Sequence, residues 1–238
     1  MTDTRPRRDT PGAGDGPHDS IWPADAGDAL AADADASGGT AQTDGRRLRR
    51  ALNREAVVDA LLDLYAEGNL RPSTDEIAER AGISPRSLFR YFEDADDLAG
   101  EAVARQQARV LPLLPVEAVP TDPFADRVTA LVEQRLRLFA QMGTAAQVSR
   151  LRAPFQPRLA RSLAQGRSFL RNQVQTLFAP ELAGFDDDRA DAALAAADVL
   201  TCYETFQLLT EDRGFSTEEI RTVMTVSLTA VLTTGGTR

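Results

Sequence analysis

Residues 71–92 read RPSTDEIAERAGISPRSLFRYF, and this stretch decides the fold class. Ser73 followed three residues later by Glu76 has the spacing of a capping box. In that arrangement the hydroxyl oxygen accepts from the backbone of the third helical residue while the carboxylate accepts from the cap backbone. A helix is therefore predicted from Ser73, with Ile77, Ala78 and Ala81 as a short apolar face and Gly82 placed to end it in a left-handed turn. Two residues on, Ser84 can cap a further helix whose first position is Pro85, where the missing N–H costs nothing. Upstream, Asn53 is the expected N-cap of a first helix in which Val58, Leu61, Leu62 and Tyr65 recur at helical spacing, with Gly68 as its terminator. Two short helices joined by a glycine-containing turn, preceded by a longer one, form a helix-turn-helix.

Helical patterning continues beyond it. Asp94 is placed to cap a fourth helix through about Arg109, and the proline-rich run PLLPVEAVPTDP then breaks the pattern. Further helices are expected over about 122–142, with Val128, Leu131, Val132, Leu136 and Phe139 as their apolar stripe, and over 144–152, 158–178, 187–211 and 216–232. Ser216 and Glu219 make a second capping box. No sustained alternation of β-branched residues occurs, so the expected fold is all-α. It divides into an acidic tail (1–44), a three-helix helix-turn-helix domain (45–105) and a larger helical domain (106–238).

Composition narrows the function classes. Of 238 residues, 42% are hydrophobic, enough for a substantial core. No window is apolar enough for a membrane span and the N-terminus has no stretch resembling a secretory signal, so a cytoplasmic location without membrane association is expected. The single cysteine, Cys202, excludes an intramolecular disulfide, and the single histidine, His18, lies in the polar tail. Neither a Cys/His zinc cluster nor a His-dependent triad can be assembled from one chain, which argues against an enzyme and implies no cofactor or metal. Cys202 has no basic neighbour in sequence to activate it and reads as a small buried side chain.

The net charge of −9 would argue against nucleic acid if it were evenly spread. It is not: residues 1–44 hold nine Asp against three Arg, and their composition predicts a disordered extension. Ile21 and Trp22, the only bulky apolar pair of that tail, are either unstructured or a small docking motif. Immediately after it, GRRLRRALNR (45–54) carries Arg46, Arg47, Arg49, Arg50 and Arg54 with no acid. Such an arm can follow phosphates or enter a minor groove. If Leu88 and Phe92 face inward, then at about 100° per residue Arg86 and Arg90 point outward. An outward Arg can donate two hydrogen bonds to the O6/N7 edge of guanine, while Ser87 and Tyr91 can hold phosphates. Each feature alone is compatible with a solvated surface; together they match the footprint of a duplex-DNA reader.

The stretch EGNLRPSTDEIAERAGISPRSLFRYFEDADDL (67–98), with its flanks over about 50–105, resembles the DNA-binding domain of the TetR family of regulators. The resemblance implies base contacts from Arg86 and Arg90, contact from Phe89 where the family commonly has Tyr, and phosphate contacts from Ser73, Thr74, Ser87 and Tyr91. Two departures stand out: Ala95 replaces a frequent phosphate-binding Lys at the start of the fourth helix, and Phe89 lacks a hydroxyl, leaving apolar contact with a thymine methyl.

The resemblance further implies a homodimer on near-palindromic double-stranded DNA, paired through its last two helices, with Leu200, Leu208, Met224, Leu228 and Val231 as interface or core residues. It implies an effector-binding and dimerisation role for residues 106–238, and repression relieved by a small apolar or amphipathic effector. Phe139, Met142, Leu151, Phe169, Tyr203 and Phe206 are the expected pocket lining, with Gln147, Arg150 and Arg152 as polar anchors. The alternative is a ligand-independent architectural or protein-interaction dimer.

Overall fold

The structure is a computed structural model that describes residues 41–233, with side chains from residue 47 onward. The expectations for residues 1–40, including Ile21 and Trp22, and for the side chain of Arg46 lie outside the described residues. Helices follow in the order α1 (Ala41–Ala66), α2 (Thr74–Arg80), α3 (Pro85–Leu88), α4 (Ala95–Val110), α5 (Phe124–Arg152), α6 (Pro157–Leu177), α7 (Ala179–Leu182), α8 (Asp187–Leu200), α9 (Tyr203–Gln207) and α10 (Thr217–Thr233). Among the described residues there is no strand.

Local chemistry explains most of these bounds. The Ser73 backbone donates to Glu76 Oε2 at 2.7 Å and Glu76 N donates to Ser73 Oγ at 3.3 Å, closing the capping box. Gly82, at φ +67°, ends α2 and lets Ile83 N reach Ala78 O at 3.0 Å. Ser84 caps α3 with Pro85 in its first turn. Shorter-range bonds then continue the chain: Arg90 N donates to Ser87 O and Tyr91 N to Leu88 O, so the recognition segment tightens after one α-helical turn.

Two helices depart from expectation. α1 starts at Ala41, not Asn53: no proline lies between the two, and Arg50 in the added turns gains a tertiary contact described below. The basic run is thus helical rather than an irregular arm. The helix expected over 187–211 is broken at Thr201 and Cys202: Thr201 Oγ1 bonds back to Ala197 O at 2.8 Å, and Cys202 turns to an extended conformation. α9 then runs into a π-helical turn over Leu208–Asp212, closed by Arg213 N to Leu208 O at 3.1 Å.

Val57, Val58, Leu61 and Tyr65 of α1, Ile77 of α2, Leu88 and Phe92 around α3, and Leu98 of α4 form the N-terminal core, joined by Ala145 and Val148 of α5. The second core packs Val128, Leu131 and Leu136 of α5 against α6, α8 and α10, with Met224 and Leu228 fully inside it. α5 is therefore shared across the expected domain boundary. Gly143 (φ +50°, ψ −150°) kinks it between the two halves, where the sequence pattern also placed a break.

Arg127 at the start of α5 is buried yet fully engaged. It forms a two-pronged pair with Glu181 of α7 (2.6 and 2.7 Å) and donates to Leu177 O and Asp122 O at 2.8 and 2.9 Å. Those hydrogen bonds from Arg127 hold the Glu181 carboxyl below the usual carboxylate range. Its contribution is therefore complete above the unfolded value of about 4.3 and is lost as pH falls through the depressed folded value. Glu181→Ala is expected to cost on the order of 3–5 kcal/mol in urea denaturation at pH 7, because it strands a buried guanidinium. Glu181→Gln should flatten the acid limb of the stability profile; an unchanged limb would rule out this pair as its source.

Candidate nucleic-acid interface

Leu88 and Phe92 are buried as the spacing required, at 3% and 2% exposure. Arg86, Phe89 and Arg90 consequently lie on the outer face, all exposed, with the Phe89 ring at 61%. Among the described residues nothing holds the Arg86 or Arg90 guanidinium by a hydrogen bond or ion pair. Ser87 is tied to its cap, its hydroxyl 2.9 Å from that of Ser84. The Ser73 hydroxyl donates to Glu76 at 2.7 Å, and Thr74 is half-buried at the start of α2.

The extension of α1 braces this surface. Arg50 Nη2 donates to Arg90 O at 3.4 Å, Asn53 Nδ2 donates to Tyr91 Oη at 3.0 Å, and Arg54 Nη1 donates to Tyr91 O. Arg54 also bonds Glu101 on α4 at 3.1 Å and stacks over the Phe92 ring at 4.4 Å. Arg54 thus turns inward as a structural cation, whereas Arg47, Arg49 and Arg50 remain exposed beside the recognition segment. Positions 50, 53 and 54 share one face of a helix. That spacing was visible in the sequence but could not be used while Asn53 was assigned to a cap.

The acidic start of α4 is partly neutralised from α5: Arg152 Nη1 lies 2.7 Å from Asp96 Oδ1, and Asp94 caps the helix at Asp96 N and Asp97 N, both at 2.8 Å. Ala95 is exposed at the first helical position.

The expected effector lining is brought together in part. Phe139, Met142, Phe169, Tyr203 and Phe206 join one cluster between α4, α5, α6 and α9. Phe139 meets Tyr203 edge-on at 5.7 Å, and Phe206 lies 5.7 Å from Phe139. Arg150 stacks over Tyr203 at 4.1 Å and pairs with Glu204 at 2.9 Å; Gln147 binds Glu211. Leu151, 55% exposed, and Arg152, committed to Asp96, do not belong to this cluster. Burial, outweighed by hydrogen bonds from Arg150 and Arg167, leaves the Glu204 carboxyl at about 2, while burial pushes the Tyr203 hydroxyl up to about 12. An open groove of about 290 Å³ lies elsewhere, between α5 and α10, lined by Thr129, Glu133, Arg221 and Val226 among others.

Residues 57–102, from within α1 through the first half of α4, match the family described as bacterial regulatory proteins, tetR family. Those residues carry a tetR-family DNA-binding domain. Solved structures of TetR-like shape share the fold. A transcriptional regulator from a Rhodococcus species is 19% identical, with a TM-score of 0.59 over 75% of this chain and 95% of its own. A TetR-family transcriptional regulator from Mesorhizobium loti is 17% identical, with a TM-score of 0.54 over 77% of this chain and 96% of its own. A search of curated proteins finds no match. The matched residues take in α2 and α3, and α1 braces the segment that follows α3.

The support has a measurable strength. A double-mutant cycle on Asn53→Ala and Tyr91→Phe, followed by chemical denaturation, is expected to give a coupling of about 0.5–1 kcal/mol. Additive effects would show that Asn53 does not hold the Tyr91 hydroxyl.

Proposed function

We propose that the protein is a homodimeric repressor whose two α3 segments enter successive major grooves, about 34 Å apart, of a near-palindromic operator. The observation that carries this reading is the pair Arg86 and Arg90: exposed, unengaged among the described residues, and aimed outward by the burial of Leu88 and Phe92. Phe89 supplies apolar contact to a thymine methyl, Ser87, Tyr91, Ser73 and Thr74 contact phosphates, and the helical Arg46–Arg50 run adds a positive face alongside them.

Dimerisation is supported by apolar side chains left outside: Val199 on α8 and Val226 on α10, each 62% exposed, and Leu208 at 46%. Met224 and Leu228 are committed to the intrasubunit core, so they leave the set of direct interface residues; Leu200 and Val231 are half-buried and remain in it.

Release of DNA follows from the position of α4. It is tied to α1 along its length, by Glu101 with Arg54 and by Arg105 and Arg109 with Asp59 at 2.9 and 2.8 Å. Its last turn, Val110, packs into the aromatic cluster, and Gln107 Nε2 donates to Ser162 Oγ on α6 at 2.8 Å. An amphipathic effector entering the cluster displaces the end of α4, and the shift spreads the two DNA-binding heads. The effector relieves repression only as far as it binds the released state more tightly.

Selection of bound genomic fragments at stated salt should recover a palindrome, and Arg86→Ala/Arg90→Ala should lose it. Arg86→Ala alone should relax one position per half-site at a cost of roughly 1–3 kcal/mol, whereas Arg47→Ala/Arg49→Ala should weaken all sequences alike and lower the salt slope. Identical, sequence-independent losses from both would overturn this division of roles.

A further inference from the structure

Arg135 lies in the middle of α5 with 0% exposure. Its neighbours are neutral. Nη1 donates to Gln134 Oε1 at 2.5 Å and Gln173 Oε1 at 2.8 Å, and Nη2 donates to Leu170 O at 2.9 Å. The two glutamines are held in that orientation by their own amides, which donate to the carbonyls of Leu113 and Leu114 after α4. Among the described residues the Nε N–H has no partner, and no carboxylate lies within ion-pair distance of the guanidinium. The contrast with Arg127, which meets Glu181 at 2.6 Å, is direct. Burial lowers Arg135 to about 9, with Asp198 of α8 the acid that opposes the shift. It therefore keeps its charge at neutral pH.

The buried cation adjoins the aromatic cluster. Leu138 and Phe139 follow Arg135 by one helical turn on the same face of α5, and the residues whose carbonyls serve this polar knot, Leu113, Leu114 and Leu170, also pack into the cluster. The outer cover of the cluster is α9, five residues long, bounded by the break at Cys202 and by the π-helical turn. Such interruptions give a short segment freedom to swing without unravelling a long helix.

We propose that the effector is an amphipathic monocarboxylate, its head group paired with Arg135 and its apolar body seated among Phe139, Phe169, Tyr203 and Phe206. This rests on the reading of the cluster as the effector site. A planar carboxylate matches the guanidinium fork and supplies the acceptor that Nε lacks. One buried cation balances a single negative charge; a phosphate would bring more charge than the site neutralises. Because the knot ties α5 and α6 to the turn that ends α4, a carboxylate competing for Arg135 loosens the anchor of α4.

Calorimetric titration of the full chain with decanoate, methyl decanoate and decyltrimethylammonium tests this. Decanoate is expected to bind roughly tenfold or more tightly than the other two. That preference should vanish in Arg135→Met and persist in Arg221→Met, which removes the cation of the open groove. Should Arg135→Met not fold, Arg135→Lys keeps the charge without the fork and should reduce, but not abolish, the preference. Equal binding of the acid and its ester, or a preference that survives at full strength without Arg135, overturns the proposal while leaving the cluster as an effector site. Failure of every probe to bind overturns both.

Discussion

The kink of α5 at Gly143 is the constraint on which the rest of the structure depends. N-terminal to it, Val128 to Leu136 build the core of the larger domain; beyond it, Ala145 and Val148 complete the core of the DNA-reading domain. The positive φ suits glycine, and the carbonyl released by the interruption is taken by the Tyr203 hydroxyl at 3.1 Å. Tyr203 therefore touches Phe139 on one side of the kink, while its ring carries Arg150 from the other. α4 and α5 are two physical links between the cores, and both run past the aromatic cluster.

Charge organises the molecule by location rather than by total. The chain is acidic overall, yet the surface around α3 carries Arg47, Arg49, Arg50, Arg86 and Arg90, and several acids near it are engaged. Asp94 caps α4, Asp96 meets Arg152, Glu101 meets Arg54, and Glu76 closes the α2 box. Ionised carboxylates committed to internal donors compete less for the same arginines than free ones would.

Two buried arginines on the same helix illustrate how differently a protein can house a guanidinium. Arg127 is matched by Glu181, two carbonyls and the rings of Phe124 and Phe178 at 5.7 and 5.5 Å, so it fastens α5 to the α6–α7 junction. Arg135 is held only by neutral acceptors. Leaving a buried charge without a counter-charge is unfavourable.

The capped ends of α2, α3 and α10, the inward Leu88 and Phe92, and the outward Arg86 and Arg90 were determined by the sequence alone. Each depends on spacing within a few residues, where local backbone chemistry dominates. The start of α1, the inward turn of Arg54, the assignment of Arg152 to Asp96 and the burial of Arg135 were decided by tertiary structure. A helix with no internal breaker ends where contacts cease to reward it, and Asn53 bonds a side chain that lies 38 residues away along the chain. An arginine on a helical stripe reads as solvated by default; whether it meets water, a carboxylate or only neutral amides is set by the helices packed against it.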